Sequence, residues 1–380
     1  MNKNLAIFTA QLGTVSETFV RRHVEDLLPG KTVVVARRFA HPMGGRWQAP
    51  CPVLFLDVWA SRFQMRLARR MGLREERLRV SAITRFLRRH KVDVVLGEYL
   101  DQFVDFVPML DRLAIPYVVQ GHGIDLSAAL LRPGVKEKYA AYKSARAILT
   151  RCEFHRQRLI SIGLPASRIH VNPGGVSIPL AMPQREPDAT RRFLAIGRMV
   201  PKKGPIYLLE AFRLAAEKNR DISLDYIGDG ELLPAARQFV DACGLSGRVR
   251  LHGAASEEVK HLLLTVCGVF VQHSITDPDT GDEEGLPAGI QEAMAYGMAV
   301  ISTRHSGIAE AVVDGETGLL VDEGDVKAMA EAFLAVPAVA RKLGDVGYRR
   351  AAANYGWEHE RARLRYWLLD SSALPVAKEA

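Results

Sequence analysis

The sequence predicts two doubly wound α/β domains in tandem, on three observations: chain length, a repeated alternation of apolar runs with helical stretches, and one proline-rich break. At 380 residues the chain exceeds one ordinary hydrophobic core, and two domains are the natural division. Short continuous apolar runs separated by amphipathic segments are the pattern of parallel strands covered on both faces. The break divides two stretches in which that alternation runs and then restarts.

In the first half the strands are "LAIFTA", "TVVVAR", "VDVVLG", "IPYVVQGH", "AILTR" and "IHVNPG". Amphipathic stretches such as Glu17–Leu28 and Lys136–Ser144 lie between them as helices. The break is "NPGGVSIPLAMPQREPDAT", with Pro173, Pro179, Pro183 and Pro187; this is linker chemistry, with the boundary near 175–190. Beyond it come "RFLAIGR", "ISLDYIG", "VRLHG", "VFVQHS", "AVISTR" and "GLLVD". The expected organisation is an N-terminal Rossmann-like domain over 1–178 and a second over 179–355. The amphipathic helix in 356–380, "WEHERARLRYWLLDSS", packs back toward the first. In open parallel sheets ligands sit beyond the carboxyl ends of the strands, so two such sheets facing a central cleft would each contribute a binding edge.

Composition narrows the class. A hydrophobic fraction of 48% with 25% charged residues is that of a globular chain, not a disordered one. "MNKNLAIFTAQLGTVSETF" lacks the apolar core and cleavage site of a secretory signal. No window reaches the roughly 18 apolar residues of a spanning helix. Cys51, Cys152, Cys243 and Cys267 have no metal or CxxC spacing and read as reduced, buried thiols of a cytoplasmic protein. The net charge of +8 is unevenly spread: residues 1–180 carry 28 Lys+Arg against 14 Asp+Glu, and residues 181–380 carry 23 against 29. Residues 61–90 alone hold ten arginines and two glutamates, interleaved with Phe63, Met65, Leu67 and Met71. That spacing is either a solvated helical face or a basic amphipathic helix for an anionic membrane surface. Nucleic acid is disfavoured as a partner by the 7% aromatic content and the absence of a binding motif.

Candidate site residues follow strands, mostly in the second half. "GRMVPKKG" places Arg198 and Lys203 on a turn between a strand and a helix expected from Ile206. Two cations beside free helix amides suit a diphosphate; the alternative is a basic surface turn. "YIGDGELL" offers Gly228 and Gly230 for close backbone approach to a ligand, with Glu231 and Leu232 near a nucleoside, or else a tight connection. "DEEGLPAGIQEAMAYG" sets Asp282, Glu283 and Glu284 before Gly285, Leu286, Pro287 and Ala288, with Glu292 inside the helix that follows. Pro287 is expected as the first helical residue, and the amides of Leu286 and Ala288 form an anion site. Three carboxylates there would repel an anion, unless the ligand is extended: phosphate on the amides, hydroxyl-rich groups on the acids. Glu292 would then hold ribose hydroxyls and Glu284 the hydroxyls of a sugar, the order found in a nucleotide diphosphate sugar.

The pair Glu284 and Glu292 around "GLP", continuing as "EAMAYGMAVISTRHSGIAEAVVDGETGLLV" and preceded by "GRMVPKKG", resembles the retaining glycosyltransferases of family 4, which have the GT-B fold. The likeness covers nearly all of 190–335 and weakens toward the N-terminus. "SETF", Ser16 to Phe19, and the insertion "SITDPDTGDEEG" resemble bacterial exopolysaccharide transferases of colanic-acid type. "HVNPGGVSI" departs from the family's usual Pro-Asn-Gly-Val.

The resemblance implies that Arg198 and Lys203 bind the donor diphosphate and steady it as it leaves. It implies that Glu284 and the Gly285–Ala288 turn hold donor sugar and phosphate and that Glu292 holds ribose; Gly228, read from its strand-end turn, is placed in the same donor site. His122, in "VVQGHGIDL", matches the family histidine near the transferred sugar, and Gly13 matches a close backbone approach to the donor. No cofactor and no metal are expected; the donor is a co-substrate, and "DPD", Asp277 to Asp279, is not read as a metal motif.

The expected reaction is transfer of a sugar to an acceptor hydroxyl with retained anomeric configuration, in polysaccharide or glycoconjugate synthesis. The expected acceptor is a glycan or lipid-linked glycan. The expected location is cytoplasmic, with a possible peripheral contact on the inner face of the plasma membrane through 61–90. A nucleotide-sugar epimerase of the same fold and a non-catalytic nucleotide-binding protein are the alternatives. A dehydrogenase is disfavoured because "QGHGIDLSAA" supplies Gly121 and Gly123 without a third glycine.

Overall fold

The structure, a computed structural model, describes residues 3–14, 17–39, 47–57 and 75–369. Ser16 and the arginine-rich stretch 61–74 lie outside them; of the basic segment, the helix Glu75–Arg89 is described. Two compact units are present: residues 1–150, 156–172 and 361–380, and residues 151–155 with 173–360. The chain therefore passes from one unit to the other at Pro173, the first of the four prolines.

In the first unit seven strands pair in the order β3-β2-β1-β4-β5-β6-β7. These are β1 (Leu5–Leu12), β2 (Thr32–Phe39), β3 (Val53–Phe55), β4 (Val94–Glu98), β5 (Tyr117–Gln120), β6 (Ala147–Thr150) and β7 (Ile169–Val171), all paired parallel. The edge strand β3, only partly buried, was not foreseen. Apolar side chains alternate between two cores, one containing Phe8, Val95 and Val119 and the other Ile7, Leu96 and Val118. Leu364 and Leu368 of the helix Trp357–Leu369 complete the second core.

The stretch Glu17–Leu28, expected as one helix, divides into an α-helix over Thr18–Arg22 and a π-helical turn over His23–Leu27. Such wide turns reorient side chains and occur often at functional sites; here the turn puts His23 fully inside.

In the second unit six strands pair parallel in the order β10-β9-β8-β11-β12-β13. They are β8 (Arg192–Ile196), β9 (Ser223–Ile227), β10 (Val249–Gly253), β11 (Val269–Val271), β12 (Ala299–Thr303) and β13 (Gly318–Val321). Helices cover both faces, with cores around Phe193, Phe212 and Phe333 on one side and around Leu194, Phe270 and Met294 on the other. Each sheet reverses its strand order once, between β1 and β4 and between β8 and β11, and those switch points open the crevices in which doubly wound sheets bind ligands.

The proline-rich break is not a free linker. Val176 bridges to Gly356, and Arg185 donates to the carbonyls of Leu264, Cys267 and Tyr296. Those carbonyls end the helices Glu257–Val266 and Ala288–Ala295, where a cation satisfies otherwise orphaned acceptors. The expectation that all four cysteines are buried fails at two of them: Cys152 and Cys267 are buried, Cys51 is half-buried, and Cys243, at the exposed end of the helix Leu233–Ala242, faces solvent. Among the described residues no helix is long and apolar enough to cross a membrane.

Candidate active site

In the second unit the switch point is flanked by two loops, one after β8 and one after β11. The β8 loop carries Arg198 and then a 3₁₀ turn, Pro201–Lys203. Gly204 follows at φ +51°, and a Cβ there would lie 2.2 Å from the His273 carbonyl oxygen, so only glycine fits before the helix Pro205–Lys218. That helix begins at Pro205, one residue before the expected start. The stem of Lys203 runs over Gly197, its Cδ and Cε 3.5 Å from where a Gly197 Cβ would sit.

The β11 loop brings the acidic run to the same place. Glu284 is buried, and its two oxygens meet two ammonium groups: Lys203 Nζ at 3.1 Å from Oε2 and Lys202 Nζ at 3.4 Å from Oε1. Lys202 also contacts Asp282 Oδ2 at 3.0 Å and donates to the Glu283 carbonyl at 3.2 Å. Burial works against the Glu284 carboxylate, but the lysines outweigh it and hold its pKa at about 2. Burial likewise opposes the charge on Lys202, yet Glu284 and Asp282 raise its pKa above the usual value. Burial wins at Lys203: its pKa falls because burial, helped by repulsion from Lys202 and Arg198, outweighs the attraction of Glu284. Arg198 is exposed and has no ion-pair partner among the described residues. The cluster thus sets Arg198 at its rim and, at its base, two ammonium groups that share one carboxylate.

Glu284 is held from behind as well. Its amide donates to His305 Nε2 at 3.0 Å, and His305 Nδ1 lies 2.6 Å from Glu323 Oε1. Because Nε2 accepts, the ring proton sits on Nδ1 and is donated to Glu323, which fixes the tautomer.

The turn Gly285–Ala288 is anchored by the Gly307 amide on the Gly285 carbonyl, 3.0 Å. Pro287 is not the first helical residue: at ψ 127° it is extended and precedes the helix Ala288–Ala295. Its carbonyl closes the first turn by accepting from Ile290 and Gln291, which leaves the amides of Leu286, Ala288 and Gly289 without a hydrogen bond among the described residues.

Glu292, one turn further on, is half-exposed and pairs with Lys260 at 3.2 Å. No ion pair or hydrogen bond joins it to the lysine cluster. Gly228 does allow a close approach, but by the protein's own backbone: a Cβ there would lie 1.8 Å from the Gly197 carbonyl oxygen. Gly230 meets Met199 in the same way. Asp277 spends its oxygens on the Asp279 amide and the Thr280 hydroxyl.

In the first unit the residues after β1, β4 and β5 are built around a carboxylate that sequence reasoning missed. Glu98, the last residue of β4, is buried, with Oε1 2.7 Å from His23 Nδ1 and Oε2 2.8 Å from His122 Nε2. Burial alone would raise its pKa, but the two histidines drive it well below the usual carboxylate range. His122 stacks on Phe19 at 4.4 Å and leans on Tyr99 at 4.5 Å. Tyr99 holds φ +66° without being glycine, and its hydroxyl reaches Glu17 at 2.9 Å. Asp125, also buried, accepts from the amides of Leu100, His122 and Gly123, tying the ends of β4 and β5 together. Gly13 follows β1 at φ +87°, against the Phe39 ring. The resemblance marked His122, but the partners that orient it, Glu98 and His23, are 24 and 99 residues away in sequence, and a lone "GEY" at a strand end gives no signal of its own.

Two parallel-sheet units of this topology, each with its side-chain cluster at a switch point, are those of the GT-B fold, and comparison with known proteins agrees. Residues 31–178 match the family model described as Glycosyltransferase Family 4, and residues 181–338 match that described as Glycosyl transferases group 1. The chain thus carries a Glycosyltransferase Family 4 domain followed by a Glycosyl transferases group 1 domain. It is 30% identical over 217 residues to the amylovoran biosynthesis glycosyltransferase AmsK of Erwinia amylovora, a match covering 56% of this chain and 53% of that protein. It is 32% identical over 218 residues to WcaL of Escherichia coli, named for colanic acid biosynthesis, with the same two coverages. The chain spans about half the length of the curated relatives it matches. Among solved structures, HepE of Anabaena in complex with UDP and glucose superposes with a TM-score of 0.74 at 16% identity, over 94% of this chain and 97% of that one.

Proposed function

We propose that this glycosyltransferase moves a sugar from a nucleotide diphosphate donor to an acceptor hydroxyl with retained anomeric configuration and without an obligatory divalent ion. The observation that carries the reading is the under-compensated Lys203 beneath an unpaired Arg198, beside the open amides of Leu286 and Ala288. As the glycosidic bond breaks, negative charge grows on the departing phosphate. Cations and amides already fixed at that place stabilise the growing charge more than the ground state, and that difference is the gain in rate. The same groups supply the neutralisation that a metal ion provides elsewhere, and Asp277 is occupied with its own loop. Glu284 takes hydroxyls of the sugar, and Glu292 takes those of the ribose, exchanging its Lys260 contact. His122, oriented by Glu98, acts on the transferred sugar as the family resemblance implies.

The donors and acceptors in view follow from the relatives: HepE was solved with UDP and glucose, and AmsK and WcaL are named for amylovoran and colanic acid biosynthesis. A glycan or lipid-linked glycan is the proposed acceptor, reached from the cytoplasmic side of the membrane, with residues 61–90 as the anionic-surface contact. The test is a panel of nucleotide sugars incubated with the protein in chelator, following nucleoside diphosphate release and the anomeric configuration of the product by NMR. Release in chelator with retention supports the reading. Inversion at the anomeric carbon, epimerisation at C2, or strict dependence on added metal contradicts it.

A further inference from the structure

The two lysines of "PKKG" are adjacent on a 3₁₀ turn, where consecutive side chains leave about a third of a turn apart. Both nevertheless reach one carboxylate, each from its own side. Their remaining contacts differ. Lys202 is bound wholly to the acidic loop, through Glu284, Asp282 and the Glu283 carbonyl, and its own carbonyl accepts from the Ile275 amide at the base of that loop. Among the described residues Lys203 makes one ion pair, on Glu284 Oε2.

A diphosphate that binds Lys203 competes with Glu284 for its ammonium group. The displaced carboxylate is buried, and a buried carboxylate left without a counter-ion is strongly unfavourable. Lys202 already touches the other oxygen of the same carboxylate and is itself fixed by Asp282.

We infer that Lys202 is the positioning residue that keeps Glu284 paired and in place when Lys203 exchanges it for donor phosphate. This rests on the proposed donor site and divides labour between the two lysines: Lys203 meets the ligand, and Lys202 holds the loop. Burial depresses the Lys203 pKa while the acidic loop raises that of Lys202, in keeping with one loosely and one tightly compensated cation. Without Lys202, Glu284 has only Lys203 to pair with and competes with the ligand for it.

The experiment is titration calorimetry of the full chain with UDP, GDP, ADP and dTDP, retaining whichever binds the wild type most tightly. Lys202→Met is expected to raise Kd about tenfold, Lys202→Arg to restore it to within about threefold, and Lys202→Met in a Glu284→Gln background to change it less than about twofold, since no carboxylate remains to compete. Glu284→Gln alone should bind the nucleoside diphosphate at least as tightly as the wild type. Equal weakening by Lys202→Met in both backgrounds would overturn the inference, because Lys202 would then be meeting the phosphate directly. An unchanged Kd in Lys202→Met, or in Lys202→Gln should the methionine variant not fold, overturns it as well. Lys203→Met separates the two readings: it should weaken binding in every background, and if it does not, the donor site itself is misplaced.

Discussion

Replacing Glu284 with glutamine keeps the shape of the side chain and removes the charge that two buried ammonium groups share. The carboxyl is held at about 2 instead of the usual 4.5, a difference contributing about 3 kcal/mol of stability at neutral pH. With 9% exposure solvent screens little of it. A folded pKa below the unfolded one means the contribution is complete above pH 4.5 and is lost as pH falls from 4.5 to about 2. Glu284→Gln should therefore lower Tm by about 6–12 °C at pH 7, at about 2–4 °C per kcal/mol for a unit of this size. It should also flatten the acid limb of stability below pH 4.5. Thermal unfolding at pH 7 and denaturant unfolding from pH 7 to 3 measure both. A variant that melts within 2 °C of the wild type and keeps the same acid limb would refute the ion-paired placement of Glu284.

Three further outcomes follow from buried groups. His273 is kept neutral by burial, with a pKa of about 4. It accepts from the Gly324 amide and stacks on Tyr207. Its depressed pKa makes stability complete above pH 6.5 and progressively lost as pH falls from 6.5 to about 4, and His273→Gln should remove that part of the pH dependence in denaturant titrations. Glu98→Gln faces an amide N–H toward one of two ring N–H donors, costing about 1.5–3 kcal/mol; calorimetry should show the loss, and turnover should fall with it. Gly228→Ala drives a methyl into the Gly197 carbonyl, at about 1–3 kcal/mol. Since Gly197 leads into Arg198, turnover assayed below Tm should drop as well.

Both sheets could be read from sequence because parallel strands buried on two faces are continuous apolar runs, and each of the long ones, such as Val94–Glu98 and Ala299–Thr303, announces itself. The edge strand Val53–Phe55 did not: it is only partly buried, whereas the equally short Val269–Val271 is buried throughout. Arg198, Lys203 and Glu284 were legible as motif residues on loops after strands, whereas Lys202 was passed over. Its role depends on the fold of a loop 80 residues away, and in sequence it is only the first of two lysines. Glu98 and Asp125 were hidden for the same reason: one carboxylate joins residues 23 and 122, the other three amides from two strand ends. The proline-rich break stands where the chain passes between units, but proline content signals lost helix and strand, not lost contact. Arg185 anchors that segment by a single side chain.

The central claim is that Arg198 and Lys203 stabilise the departing diphosphate, and initial rates of nucleoside diphosphate release by Arg198→Ala and Lys203→Ala test it most directly. At saturating donor, with each variant shown to be folded, the account predicts turnover lower by tens- to hundreds-fold, or about 2–4 kcal/mol of transition-state stabilisation. Rates within threefold of the wild type for both variants would contradict it.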